Sequence, residues 1–279
     1  MIALIIHGGA GKWPENKHAR AKAGCEAARD AAYRLLQNGA SALDAVEEAL
    51  RILEDDPLFN AGTGSHPNAA GEIEMDAIIV DGSGCRFGAV AAIQKVQHPI
   101  SVARRVMDAT PHCLLAGCGG TQFAHEQGFP EYRTELLRTA DSASPSQDTV
   151  GAVALDSQGR IAAATSTGGT ANKLPGRVGD SPIFGCGAYA NGLAGASATG
   201  VGEDLMRVMM ARSVVDAACV DPDPSRAARH GVRLLDEIHG TGGIICLRRE
   251  GAVGFACNTP AMAVAFIDGQ GTRASFVKA

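Results

Sequence analysis

Aromatic side chains are scarce in this chain. They make up 4% of its 279 residues, with a single tryptophan, Trp13. Recognition by stacking of bases or sugars needs clusters of such rings and is not expected. Positive charge is not in excess: 25 Lys and Arg face 30 Asp and Glu, a formal net charge of −5. A nucleic-acid partner, which requires a basic stripe, is not expected either. Charged clusters such as Glu54-Asp55-Asp56 are short and read as solvated helix ends. No apolar run reaches the ~18 residues of a membrane span. The apolar residues 1–6 are too few for a secretory signal, and no basic segment or cleavage site accompanies them. A cytoplasmic protein with no membrane partner is expected.

Several cofactor and nucleophile motifs are also missing. Eight cysteines occur without a C-x-x-C pair, and no histidine pair has zinc spacing. Reduced, buried thiols of a cytosolic protein are the expected state. His7-Gly8-Gly9 resembles an esterase oxyanion loop, but the G-x-S-x-G elbow is absent. Gly11-Lys12 is followed by Trp13, so it is not a phosphate loop, and there is no G-x-G-x-x-G or H-E-x-x-H.

What the chain does have is apolar bulk and glycine. It is 46% hydrophobic and 20% charged, enough to bury a sizeable core in one domain spanning residues 1–279. Glycine numbers 35, well above the roughly 7% average, in clusters beside strand-like runs. There it permits positive φ and close backbone approach to a ligand.

Residues 2–6 predict a buried strand that enters a glycine turn at 7–11. A helix over about 16–38 ends at Asn38-Gly39. Ser41 caps a second helix to about Leu53, with Asp44 in the capping-box position. Residues 73–80 and 86–93 predict a hairpin around Asp81-Gly-Ser-Gly84, and 150–156 with 161–165 predict another. Pro99 opens a helix near 100–108, and 120–127 predicts another. Further strands fit 113–115, 183–184, 189–190, 243–247, 253–258 and 263–267; helices fit 203–218 and 223–239. The helix carrying Met206, Met209 and Met210 reads as core packing. Residues 130–148, rich in Pro and Ser, read as a linker. Adjacent hairpins imply mainly antiparallel pairing, with two central sheets and helices outside.

The dense chemical signal lies between Gln147 and Ser181. Asp148-Thr149 opens a strand, Thr165-Ser166-Thr167-Gly168-Gly169 ends the next, and Arg177-Val178-Gly179-Asp180 follows. Three small hydroxyl residues near an Arg–Asp pair suit a nucleophile beside a zwitterion-reading site. Strand-forming threonines next to an Arg177–Asp180 salt bridge would give the same pattern.

These residues are similar to plant-type L-asparaginases, also called isoaspartyl or β-aspartyl peptidases, of the N-terminal-nucleophile hydrolases. His7-Gly-Gly-Ala-Gly11, residues 53–64, Glu74-Met75-Asp76-Ala77, Asp81-Gly82 and Thr199-Gly-Val-Gly-Glu203 extend the similarity over nearly the whole chain, in order. The resemblance implies an α+β fold, a four-layer αββα sandwich with two mainly antiparallel sheets between helix layers. It implies self-cleavage between Asp148 and Thr149 into an α chain, 1–148, and a β chain, 149–279, and an (αβ)2 assembly. The implied activity is hydrolysis of the asparagine side-chain amide and of β-aspartyl peptide bonds, in a small-molecule or dipeptide substrate.

The resemblance also implies roles. Thr149 is the nucleophile, its freed α-amino group the base, with a reference pKa of ~7.7–8.0. Thr167 donates a hydrogen bond to the Thr149 hydroxyl. Thr199 and the Gly200 N–H form the oxyanion hole. Arg177 grips the substrate α-carboxylate and Asp180 its ammonium, with Val178, Gly179, Val201, Gly202, Asn60 and Gly9 nearby. No cofactor takes part in catalysis; a structural sodium ion is held by backbone carbonyls of Leu53, Glu54, Asp56, Phe59, Ala61 and Thr63. Asp148 departs from the pattern, since glycine often precedes the nucleophile. Aspartate there is similar to the related glycosylasparaginases, and the linker is shorter than many members carry. A glycosylasparaginase-like amidase and a silent, uncleaved amino-acid-binding homologue remain the alternatives.

Overall fold

The computed structural model describes residues 1–138 and 149–277. In chain order its elements are β1 (Ala3–Gly11), α1 (Glu15–Gln37), α2 (Ala42–Asp55), β2 (Met75–Asp81), β3 (Arg86–Ile93), α3 (Pro99–Ala109), β4 (Leu114–Ala116), α4 (Gly117–Glu126) and α5 (Thr134–Leu137). Then follow β5 (Val150–Leu155), β6 (Ile161–Thr167), β7 (Ala188–Ala190), β8 (Ala194–Gly200), α6 (Gly202–Arg207), α7 (Met210–Val220), α8 (Pro224–Glu237), β9 (Gly242–Arg248), β10 (Val253–Cys257), β11 (Ala261–Ile267) and β12 (Arg273–Val277).

The strands form an eight-stranded sheet, ordered β12-β11-β1-β5-β6-β2-β3-β4, and a four-stranded sheet, β10-β9-β8-β7. The pairing is antiparallel apart from β3 with β4. Three apolar layers separate four structural layers. One lies between α1, α2, α3 and the large sheet, with Leu50, Leu53 and Ile79 at its centre. A second fills the space between the sheets, through Ile5, Val153 and Ile245. The third packs Val214, Leu235 and Ile244 between the small sheet and α7 and α8. This is an αββα sandwich. The central strands β1, β5 and β6 are buried on both faces, so their sequences lack the alternation of a half-exposed sheet.

Local chemistry explains the element ends. Ser41 accepts the Asp44 N–H and Asp44 accepts the Ser41 N–H, a capping box built with Asp at the third position. Asp156 closes the β5–β6 turn by accepting the Gln158 and Arg160 N–H groups, and its second oxygen accepts the Ala42 N–H. One buried carboxylate thus ties the hairpin to the start of α2.

The structure corrects several expectations. β1 does not stop at the glycines. It runs through them to Gly11, with a bulge between His7 and Ala10 where Gly9 takes φ 109°. β8 is a strand despite its Ala, Gly and Ser content, because tertiary pairing to β7 and β9 overrides weak strand propensity. Residues 183–184 are not a strand: Ile183 N–H bonds the Asp180 carbonyl and Cys186 N–H that of Ile183, giving tight turns and one isolated bridge. The expected 203–218 helix breaks at Met209, which adopts φ 47° and is 51% exposed, so only Met210 of the three methionines is fully buried. The edge strand β12 was not foreseen; its mixed residues pair with β11. Cys85, Cys113 and Cys118 are exposed, at a hairpin turn and along the outer end of the large sheet, so burial does not extend to most of the thiols. Glu54 is not a solvated helix end but is completely buried. The 130–148 segment is packed at its start: α5 buries Leu137, whose carbonyl accepts the Gly64 N–H. Residues 139–148, including Asp148, lie outside the described residues.

Candidate active site

A cleft of about 290 Å³ opens where the ends of β6 and β8 meet the start of β5. Asn60, Thr149, Thr167, Arg177, Gly179, Asp180, Gly200 and Gly202 line it, together with Gly169 and Thr170, which the sequence reading did not single out. Thr199, Gly9, Val178 and Val201 do not line it. Thr199, next to the lining residue Gly200, and Gly9 are buried.

Thr149 stands one residue before β5 and is 6% exposed. Its hydroxyl donates to Thr167 Oγ1 at 3.2 Å, the reverse of the direction expected from the sequence. Thr167 Oγ1 also accepts the Gly169 N–H at 2.9 Å, so this oxygen is a double acceptor whose own proton is free to rotate. Asn60 pins the same loop. Its amide donates to the Gly169 carbonyl at 2.7 Å and its oxygen accepts the His66 N–H. Thr199 Oγ1 accepts the Ala10 N–H at 3.2 Å, which leaves its hydroxyl proton to donate elsewhere. The neighbouring Gly200 has φ 148°, and a Cβ there would lie 2.5 Å from Gly242 Cα and the Thr241 carbonyl. Only glycine lets the backbone turn at this wall.

The opposite wall carries charge. Arg177 does not pair with Asp180. Its Nε and Nη2 bind both oxygens of Glu203 at 2.9 and 2.7 Å. Gly179 and Gly202 lack the side chains that would crowd the guanidinium, since a Cβ on either would lie 2.8 Å from it. Glu203 therefore belongs to the site, although its sequence signal was only the end of a glycine motif. Asp180 is 4% exposed, and among the described residues its Oδ2 has no hydrogen-bond partner. Burial pushes its pKa up to about 7, against the pull of its own backbone N–H and of Arg177. Beneath this wall, Glu74 accepts the Gly176 N–H with both oxygens, and its carbonyl accepts the Lys173 ammonium at 2.7 Å. Asp76, fully buried, accepts the Ala92 N–H. The Glu74-Met75-Asp76 motif thus anchors the 173–180 segment.

The 53–64 loop folds back on the end of α2. Thr63 N–H bonds the Glu54 carbonyl at 2.7 Å, and Gly62 and Gly64 take positive φ to bring carbonyls of Glu54, Pro57 and Phe59 close. Glu54 turns its carboxylate the other way. It accepts from Ser166 Oγ at 2.6 Å and the Ile100 N–H at 3.1 Å, and burial raises its pKa. Carbonyl oxygens at a helix C-terminus, where the dipole is negative, suit a hard monovalent cation in donor type. No group of three or more His, Cys, Asp or Glu that could hold a metal occurs among the described residues.

The model of the asparaginase family matches residues 1–145 and 138–277. The chain belongs to the asparaginase family. Among curated asparaginases, it is 44% identical to a plant-type L-asparaginase of Pyrococcus furiosus over 299 residues, 96% of each chain. It is 44% identical to an isoaspartyl peptidase/L-asparaginase of Xenopus laevis over 266 residues, covering 89% of this chain and 86% of that one. A mouse isoaspartyl peptidase/L-asparaginase is 40% identical over 270 residues, 90% and 83% of the two chains. The αββα sandwich is the N-terminal-nucleophile hydrolase fold of this asparaginase family.

Proposed function

We propose that the chain is a threonine hydrolase that cuts itself before Thr149 and then hydrolyses the side-chain amide of L-asparagine and β-aspartyl peptide bonds. One observation carries this reading. The paired hydroxyls of Thr149 and Thr167 share a small cleft with Arg177 and with Asp180, one of whose carboxylate oxygens has no hydrogen-bond partner among the described residues. An arginine and a buried carboxylate with a free oxygen match the two charges of an amino-acid head group.

Self-cleavage would have the Thr149 hydroxyl attack the carbonyl of residue 148, and water open the resulting ester. The freed α-amino group of Thr149 then serves as base. In the amide reaction, Thr149 Oγ bonds the amide carbon while its proton passes to the amine. Thr167, relieved of that proton, rotates its own hydroxyl to donate back to Thr149. The oxyanion is held by the Thr199 hydroxyl, already oriented by Ala10, and by the Gly200 N–H. The C–N bond breaks as the amine returns the proton to the leaving ammonia or peptide amine. Water, activated by the same amine, hydrolyses the ester and releases aspartate. A sodium ion on the carbonyls of Leu53, Glu54, Asp56, Phe59, Ala61 and Thr63 would stiffen the loop that carries Asn60. The wider reading is a cytoplasmic enzyme in an (αβ)2 assembly. Eight free cysteines, three of them exposed, fit a reducing compartment, and among the described residues no helix is long and apolar enough to cross a membrane.

The test is intact mass of the denatured protein, beside assays of ammonia from L-asparagine and leucine from β-aspartyl-leucine. Two fragments breaking before Thr149, with turnover of either substrate, are expected. A full-length chain with no turnover after prolonged incubation would sink the reading in favour of a silent homologue.

The raised pKa of Asp180 gives a further expected result. Free enzyme at pH 6 carries mostly neutral Asp180, which cannot pair with the substrate ammonium. The kcat/KM for L-asparagine should therefore rise with pH through about 7. The Asp180 limb should be absent from kcat, which keeps only the limb of the Thr149 amine, because bound ammonium holds Asp180 ionised. In Asp180→Asn the limb should vanish and kcat/KM should be low. Stability runs the other way: the contribution of protonated Asp180 is complete below 3.8 and lost as pH rises through about 7. A limb near 7 that persists unchanged in Asp180→Asn would assign it to another group.

A further inference from the structure

A second row of polar side chains lies one step deeper than the cleft. His7, Thr165 and Ser197 precede Gly9, Thr167 and Thr199 by two residues each. On a strand, positions two apart share a face, so Thr165 and Ser197 point into the same space between the sheets as Thr167 and Thr199, and His7, before the β1 bulge, meets Ser197 there. All three are 0% exposed, in a layer otherwise filled by Ile5, Val153, Ala163 and Ile245. His7 Nε2 and Ser197 Oγ are 3.0 Å apart, and Ser197 Oγ and Thr165 Oγ1 are 2.9 Å apart. Ser197 also donates to the Ala164 carbonyl, and Thr165 to the Gly187 carbonyl. Gly151, paired with His7 on β5, leaves the room for this chain. A Cβ there would collide with Ser197 Oγ and the His7 ring.

Such a row is not needed to fill the layer. Apolar residues of similar size would do so without taking three polar groups out of water. What the row adds is direction. Thr149 and Thr167 belong to the large sheet, whereas Thr199 and Gly200 belong to the small one. Apolar contacts between two sheets set their spacing but only loosely their sliding position. The His7–Ser197, Ser197–Ala164 and Thr165–Gly187 bonds all cross the gap, and the Ser197 and Thr165 oxygens meet across it. The His7 ring stays neutral, because burial lowers its pKa to about 3 and only the Thr149 main chain opposes this. Its Nδ1 has no hydrogen-bond partner among the described residues.

We propose that the buried His7–Ser197–Thr165 chain is a positioning unit, which holds the Thr149 strand in register with the Thr199–Gly200 strand across the two sheets. It rests on the reading of Thr149 as nucleophile and of Thr199 and Gly200 as oxyanion donors. After cleavage Thr149 is a chain end, and the strand behind it has to keep its amine and hydroxyl aimed. Misplacement by about 1 Å can cost around 10²-fold in rate.

Ser197→Ala and Thr165→Val remove the hydroxyls with little change in volume, and Thr165→Ser is the conservative control. Steady-state kinetics with L-asparagine would be run on self-cleaved protein, with the cleaved fraction counted by intact mass. A fall in kcat of about 10- to 100-fold is expected in the first two variants. KM should stay within about twofold, because Arg177 and Asp180 are untouched, and Thr165→Ser should recover most of the rate. Slowed self-cleavage counts the same way, since it uses the same hydroxyl and oxyanion donors. Wild-type kcat per cleaved chain in both Ser197→Ala and Thr165→Val would overturn the proposal and leave a purely structural layer. A Thr149→Ala control separates the two readings. Activity lost there but intact in both layer variants removes only the positioning role; activity surviving in Thr149→Ala removes the nucleophile and this inference with it.

Discussion

Thr149→Ala is expected to yield a folded, uncut chain that hydrolyses L-asparagine about 10⁶-fold more slowly, the scale of losing an activated hydroxyl nucleophile. The side chain is small and 6% exposed, and among the described residues its side-chain bond is to Thr167, so little packing is lost. The fall should be in kcat. Head-group binding by Arg177 and Asp180 does not involve the Thr149 hydroxyl, so L-aspartate should still bind, as calorimetry on the variant can check. Thr149→Ser keeps a hydroxyl but loses the methyl that fixes its rotamer, and should be cleaved and partly active. An uncut Thr149→Ala protein with residual turnover above that of other inactive variants would place the nucleophile elsewhere.

Arg177→Ala should lower kcat/KM for L-asparagine by about 10²- to 10³-fold, the range for removing one half of a hydrogen-bonded charge pair. The guanidinium already spends two of its five N–H groups on Glu203, and that bidentate clasp holds it flat beside Gly179 and Gly202. The remaining N–H edge is left for a second carboxylate. Lysine offers a charge without the fork, so Arg177→Lys should recover only part of the loss. Stability should change little, because Glu203 is 56% exposed and can hydrate once its partner is gone. A truncated substrate supplies the decisive comparison. 3-Aminopropanamide is asparagine without its α-carboxylate, and wild type should process it poorly. Arg177→Ala should process it no worse than wild type does. Additive losses from the substitution and the truncation would show that Arg177 does not read the carboxylate.

Much of the fold is local in origin and was legible. The α2 capping box, the two hairpins at Asp81-Gly82 and Ser157–Arg160, and the Asn38 end of α1 each depend on residues within a few positions of one another. The misses are the places where distant partners decide. β8 reads as Ala-Gly-Ala-Ser-Ala-Thr-Gly, without strand-favouring residues. It exists because β7 and β9 flank it and the close inter-sheet approach admits only small side chains. A Cβ on Gly195, in this strand, would lie 2.8 Å from Val153. Glu54 looked like surface charge because its neighbours Asp55 and Asp56 are charged; Ser166, far along the chain, makes it a buried anchor.

The sequence by itself determined the chemical inventory and its order: a hydroxyl residue at the head of a strand, two more at strand ends, and an Arg–Val–Gly–Asp segment between them. Residue type and short-range spacing carry that information, and they suffice for the asparaginase family resemblance. Only the tertiary structure decided which groups meet. It set Glu203 rather than Asp180 against Arg177, left an Asp180 oxygen unpaired and raised its pKa, and put Ala10 on the Thr199 hydroxyl. The physical reason is that burial and cross-sheet register are long-range properties. A carboxylate's pKa follows from the water it has lost and the charges around it, and strands far apart in sequence supply both.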